Sequence, residues 1–171
     1  MKIALFYGST TGNTEDVAEL IERTLPEHQF DLLDVADASL SQINDYQQII
    51  MGIPTWDYGE IQSEWEDVWS ELDDLDLSGK QIALYGLGDQ VGYGDWFVDA
   101  MGLLHDKLVE QGAELVGYWP VEGYDFTESK ALTPDKKQFV GLALDEDCQH
   151  ELTQQRVERW CQQILEAFQR D

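Results

Sequence analysis

Ile3-Ala4-Leu5-Phe6-Tyr7-Gly8-Ser9-Thr10-Thr11-Gly12-Asn13-Thr14 passes from five consecutive apolar or aromatic residues into a turn crowded with hydroxyls. A short continuous apolar run is what a strand covered on both faces requires. Behind the turn, Val17, Leu20, Ile21 and Thr24 fall on one helical stripe that ends before Pro26. The stretch therefore predicts a buried strand, a tight turn and a helix, the opening of an α/β chain. It has no long apolar region and no small-residue cleavage site, so it reads as a strand and not as a signal peptide.

The same alternation continues along the chain. Residues 30–35 are mixed, which suits an edge strand, and a short helix is expected around Leu40 and Ile43. Ile49-Ile50-Met51-Gly52-Ile53 predicts a second buried strand, stopped by Pro54. Trp65, Val68, Trp69 and Leu72 mark a helix, residues 81–86 a strand, and Phe97, Met101, Leu104, Leu108 and Val109 a helix closing near Gly112. The last unit is interrupted. Leu115-Val116-Gly117-Tyr118 starts a strand that Phe139-Val140-Gly141-Leu142-Ala143-Leu144 is expected to continue, and residues 119–138 between them read as an insertion. A final helix carries Val157, Trp160, Cys161, Ile164, Leu165 and Phe168 on one face, with Thr153 as its expected N-cap. Buried strands alternating with helices imply a parallel sheet covered on both sides, in one domain of 171 residues. Ligands of such sheets bind beyond the carboxyl ends of the strands, so the turns after each strand are where function is sought.

Thirty-five acids against ten bases give a net charge of −25. That charge excludes nucleic acid, whose phosphates need dense Lys and Arg, and disfavours anionic membrane surfaces. No apolar run is long enough to span a bilayer. A basic protein partner is favoured, steered by the long-range field. The acids are uneven: residues 60–76 hold eight acids and no base. Cys148 and Cys161 form no metal or CxxC spacing and read as reduced thiols of a cytoplasmic protein. His28, His105 and His150 are scattered, and no nucleophile–base signature is visible, so bond-making catalysis is not expected.

The turns carry the chemistry. In the first, Ser9, Thr10, Thr11 and Thr14 offer hydroxyl donors, Asn13 an amide, and Gly12 room for close approach, at the start of a helix whose N–H groups and dipole suit an anion. No Lys follows the glycine and there is no GxGxxG, so the turn suits the terminal phosphate of a mononucleotide. After residue 53 come Pro54-Thr55-Trp56-Asp57-Tyr58-Gly59. After residue 86 come Leu87-Gly88-Asp89-Gln90-Val91-Gly92-Tyr93-Gly94-Asp95. Trp56 and Tyr93 place two aromatic faces at the same sheet edge, suited to sandwiching a flat ring system.

Ser9-Thr10-Thr11-Gly12-Asn13-Thr14 resembles the phosphate loop of flavodoxins, which follows a T/S-x-T-G-x-T pattern, and the resemblance extends over the whole chain. The split last strand is similar to the long-chain members. The resemblance implies a flavodoxin-like, doubly wound five-stranded parallel sheet in order 2-1-3-4-5, and one non-covalently held FMN. It implies that residues 9–14 hold the ribityl phosphate, that Trp56 and Tyr93 stack on the flavin, and that Thr55, Gly59, Gly88 and Asp89 line its edge. Asp147 is expected near the ribityl chain, and Pro54, Asp57, Tyr58, Leu87 and Asp95 complete the expected contacts.

The implied function is a low-potential one-electron carrier. It would run, as a monomer, between a flavin-containing NADP reductase and acceptor oxidoreductases with basic surfaces. Some flavodoxins have a glycine where a peptide flips towards flavin N5–H on reduction. The matching peptide here, Asp57–Tyr58, has none, so a less stabilised neutral semiquinone is expected. A receiver domain would need acids after the first and third strands, where Gly8-Ser9 and Pro54-Thr55 stand. A flavin-dependent quinone reductase would need a nicotinamide or substrate pocket, which the acidic surroundings disfavour.

Overall fold

The computed structural model describes residues 2–169; Met1, Arg170 and Asp171 lie outside the described residues. The first apolar run forms β1 (Lys2–Tyr7), buried from its second residue onward. It is flanked by β2 (Gln29–Asp34) on one side and β3 (Gln48–Trp56) on the other, both parallel to it. β3 pairs in parallel with β5 (Gln81–Leu87), and it pairs antiparallel at its carboxyl end with β4 (Glu60–Ile61). β5 is buried along its whole length, while β2 is only half-buried, as an edge strand should be.

The last strand is split as the sequence predicts. β6 (Glu114–Val116) pairs with the first half of β5 and β9 (Leu142–Leu144) with its second half. Counting β6 and β9 as one, and setting the two-residue β4 aside, the parallel order is 2-1-3-4-5. Phe139 does not continue the strand. It belongs to an antiparallel ribbon of β7 (Trp119–Pro120) and β8 (Gln138–Phe139) that closes the base of the insertion. Two-residue strands have no periodicity to read, which is why the apolar pair Phe139-Val140 resembled main sheet.

Helices cover both faces. The Tyr85 ring meets Trp160 of α4 (Thr153–Gln169), and its hydroxyl donates to the Thr14 carbonyl of α1 (Asn13–Thr24). The next residue, Gly86, lies against Met101 of α3 (Asp99–Glu110). Successive strand residues point to opposite faces, so α1 and α4 share one layer and α3 lies in the other. No helix among the described residues is long and apolar enough to cross a membrane.

Three helical expectations change. The predicted helix over Trp65 and Leu72 is α2 (Ser63–Val68) followed by a 3₁₀ segment, Trp69–Asp74. Acids at 71, 73 and 74 oppose the negative end of a helix dipole, so a continuous α-helix is disfavoured there. Gln111 instead gathers the carbonyls of Leu72, Asp73 and Leu75 onto its one amide nitrogen. Thr153 is not a cap: it has helical backbone angles, and its hydroxyl donates to Glu146 after a 3₁₀ turn, His150–Leu152. Phe97 precedes α3, and Val109 faces solvent, because the apolar stripe of α3 runs through Met101, Leu104 and Leu108.

Candidate functional site

The sheet order reverses between β1 and β3, and a cleft of about 270 Å³ opens beyond the carboxyl ends of these strands and β5. This is the switch point at which doubly wound sheets place ligands. Its walls come from the predicted turns: Thr10, Thr11, Asn13 and Thr14; Pro54, Thr55, Trp56 and Asp57; Leu87, Gly88, Asp89 and Tyr93; and Asp147. Ser9, Gly12, Tyr58, Gly59 and Asp95 do not line it. Trp96 and Glu146, which the sequence reading did not single out, do. Trp96 had a readable signal, a second aromatic in the same glycine-rich turn as Tyr93.

The first turn is held from within and from behind. Ser9 Oγ accepts from Gly12 N at 3.0 Å. Gly12 itself is required by its backbone, at φ +94, and not by close packing, since a Cβ there would meet nothing within 4 Å. No side chain caps α1, so its first N–H groups remain available at the cleft. From behind, Gln62 Nε2 donates to Thr10 Oγ1 at 2.9 Å.

Glu64 also lies behind this turn, with Oε2 buried and without a hydrogen-bond partner. Burial and then the neighbouring Asp34 carboxylate push its carboxyl above the ordinary range, partly offset by Ser9 N–H and the Gln62 amide. A carboxyl raised on folding favours the native state when protonated, and that benefit is lost as pH rises through the raised value. Glu64→Gln is therefore expected to raise the urea midpoint at pH 7. The difference should vanish below about pH 4, where both side chains are neutral. A midpoint unchanged or lowered at pH 7 contradicts this.

The tryptophan turn is a hairpin in which Trp56 pairs with Glu60. Asp57 sits at φ +44 and Gly59 at φ +87. A Cβ on Gly59 would crowd Asp99 Oδ2 and Trp96, so only glycine suits that corner. Thr55 Oγ1 accepts from Ala100 N, tying the hairpin to α3. The Tyr58 ring is 66% exposed and meets Trp96 and Tyr93 edge-on, at 5.0 and 5.9 Å, linking the two aromatic turns on their outer side.

The Tyr93 turn is wound around Asp89, whose Oδ1 accepts from Val91 N and Gly92 N. The insertion grips it from outside: Thr127 N and Glu128 N both donate to the Gly94 carbonyl. Asp57, Asp89, Glu146 and Asp147 put four carboxylates on the cleft wall, and its described lining holds no Lys, Arg or His. Burial, then Asp89 and Asp145, push the Asp147 carboxyl up. The Cys148 thiol is raised to about 11 by burial and by the same two aspartates, which leaves it a poor nucleophile.

Known proteins are similar to this chain over nearly its full length. A sequence model of the flavodoxin family matches residues 5–160. Flavodoxin 2 of Escherichia coli (strain K12) is 53% identical over 165 residues, covering 96% of this chain and 95% of that protein. Flavodoxin of Nostoc sp. (strain PCC 7120) is 51% identical over 167 residues, covering 98% and 97%. Among solved structures, Fusobacterium nucleatum flavodoxin bound to flavin mononucleotide superposes with a TM-score of 0.92 at 30% identity, over 97% of this chain and 98% of that one. With its switch-point cleft, its hydroxyl-lined first turn and this likeness over nearly its full length, the chain belongs to the flavodoxin family.

Proposed function

We propose that the chain is a one-electron carrier that holds one FMN without a covalent bond. The observation that carries this is the pairing, in one cleft, of a cation-free hydroxyl loop at a helix N-terminus with two aromatics from separate turns. The first suits a phosphate dianion and the second a flat ring. Flavodoxins are themselves a standing example of the switch-point rule that locates the cleft.

Thr10, Thr11, Asn13 and Thr14 would hold the phosphate, with Ser9 and Gly12 shaping the turn. Trp56 and Tyr93 would flank the ring, with Trp96 beside them. Pro54, Thr55, Asp57, Leu87, Gly88 and Asp89 would line its edge, Tyr58, Gly59 and Asp95 would support the two aromatic turns, and Glu146 and Asp147 would border the ribityl chain. When bound, FMN supplies the one-electron redox chemistry. The protein's part is to orient it, to keep water from its buried side and to set the local potential. Four carboxylates, with no Lys, Arg or His in the described lining, disfavour added negative charge on the ring. That supports a strongly negative potential for the last electron.

The Asp57–Tyr58 peptide bears on the first electron. Turning that peptide over swings the Tyr58 φ angle to positive values, at about 1–2 kcal/mol for a side chain of that size. The half-reduced protein is therefore expected to accumulate less than in relatives with glycine there. We further propose that the acidic surface serves basic partners, a flavin-containing NADP reductase as donor and low-potential oxidoreductases as acceptors, and that the protein works as a cytoplasmic monomer.

An anaerobic reductive titration followed by the visible spectrum tests the core of this. A yellow protein with one FMN, reduced in two one-electron steps with the second far more negative, is the expected result. A colourless protein that ignores added FMN would overturn it, and direct two-electron reduction by NADPH would place the chain among enzymes. Asp147→Asn is expected to raise the second potential by about 20–50 mV, the scale of one charge several ångströms away. An unchanged or lowered potential would contradict the electrostatic account.

A further inference from the structure

Gln62 breaks a local rule. It is the N-cap of α2, a position that favours Ser, Thr, Asp or Asn, whose short side chains reach the helix N–H groups easily. Its side chain is 1% exposed, and both ends of the amide are in use. Oε1 accepts from Trp65 N at 3.2 Å. A backbone N–H can only donate, so the amide has one permitted orientation, and Nε2 must face Thr10. Its approach depends on Gly8, where a Cβ would stand 2.6 Å from Gln62 Oε1 and 2.7 Å from Trp65 Cδ1.

A threonine hydroxyl has one proton and two lone pairs. Since Gln62 Nε2 donates to Thr10 Oγ1, the hydroxyl proton cannot point back at Gln62, and Thr10 Oγ1 donates no hydrogen bond to any of the described residues. Thr10 is exposed and lines the cleft. We propose that Gln62 is a positioning residue that determines ligand specificity: by occupying a lone pair of Thr10 it aims the Thr10 hydroxyl proton into the cleft, so that the first turn selects a phosphate monoester over the unphosphorylated flavin. This rests on the proposal that the turn holds the FMN phosphate. The carboxamide is needed because a carboxylate in the same place would accept the Thr10 proton and draw it out of the cleft.

The test is titration of the apoprotein with FMN and with riboflavin, followed by flavin fluorescence, with inorganic phosphate as competitor for the loop. Gln62→Glu is expected to weaken FMN by about 10–100-fold, the range for losing a hydrogen bond to a charged group. Riboflavin binding should change less than about 3-fold, which also shows that the variant is folded. Gln62→Met, which frees the Thr10 hydroxyl without capturing its proton, should weaken FMN less than Gln62→Glu does. In a Thr10→Val background the step from Gln62 to Glu should lose most of its effect, what remains being the added charge alone.

Equal losses of FMN and riboflavin, or an undiminished effect in Thr10→Val, would overturn the proposal and leave Gln62 a structural cap. Wild-type protein that binds riboflavin as tightly as FMN and ignores inorganic phosphate would overturn it together with the phosphate assignment. Wild-type discrimination that survives in the Gln62 variants would overturn this inference alone.

Discussion

Gly52→Ala is expected to cost the apoprotein about 2–6 kcal/mol, from about 1–3 for overpacking and about 1–3 for a lost buried hydrogen bond. Gly52 lies in the middle of β3, and a Cβ there would overlap Cζ and Oη of Tyr85 on β5. The ring has nowhere to go. Tyr85 is fully buried, with Trp160 against it and its hydroxyl donating to the Thr14 carbonyl at 2.9 Å. Gly52 is also held through its own carbonyl, which accepts from Trp65 Nε1 at 2.9 Å. Relief must come from moving Tyr85 off Thr14, the residue where the first turn enters α1.

The loss is large beside a typical total of about 5–15 kcal/mol. Because Thr14 lines the cleft, FMN affinity should fall with stability. Equilibrium urea unfolding of the apoprotein measures the first effect and flavin titration the second. Tyr85→Phe, which removes the hydroxyl and leaves the ring, should cost less than Gly52→Ala. Tyr85→Leu in the Gly52→Ala background should recover part of the loss, since the two sites are in contact and their effects are not additive. A Gly52→Ala protein within about 0.5 kcal/mol of wild type, the range of an indifferent surface substitution, would show that the two strands adjust freely.

The central strands were readable because burial on both faces leaves an unbroken apolar run, as in β1, β3 and β5. The split of the last strand was readable because Leu115-Val116 and the buried β9 are apolar, while residues 119–138 between them are broken by polar residues, Pro120, Gly123 and Pro134. The ribbon of β7 and β8 was not, because two residues have no period. Over α2 and the 3₁₀ segment after it, the spacing of Trp65, Val68 and Leu72 reported the buried face correctly, but it says nothing of whether the turns are α or 3₁₀. The cleft residues were legible where chemistry stands at the end of a strand or directly after it, as hydroxyls after β1, Trp56 at the end of β3 and Tyr93 after β5. The residues that hold those turns in place were silent. Gln62 meets Thr10 across 52 positions, and Gln90 meets Asp145 across 55, so no local spacing joins them. Asp145 read as one acid among 35. Only the fold shows that it is fully buried.

Asp145 makes the second large prediction. Its Oδ2 accepts from Gln90 N and Gln90 Nε2, both at 2.9 Å, and its Oδ1 accepts from Asp147 N at 3.1 Å and Cys148 N at 2.9 Å. Four N–H donors therefore converge on one carboxylate. The same Gln90 amide accepts from Asp125 N through Oε1, which draws in the insertion. One knot thus joins the Tyr93 turn, the Glu146-Asp147 wall of the cleft and the insertion. Asp145→Ala leaves all four donors without an acceptor, and the expected cost is about 3–5 kcal/mol, the scale for breaking a buried charged network. Asp145→Asn should be nearly as damaging despite its shape. It can offer one oxygen to one pair of donors, but it must turn an NH₂ towards the other pair. Gln90→Ala should cost less than either, because Asp145 keeps three of its four bonds, from the backbone N–H groups of residues 90, 147 and 148. FMN affinity should fall in the same order, since the Tyr93 turn and the Glu146-Asp147 wall both loosen. Urea midpoints and FMN titrations of the three variants measure that order. An Asp145→Asn protein within about 1 kcal/mol of wild type would mean that the donors are satisfied elsewhere, and that the two walls of the cleft are held independently of each other.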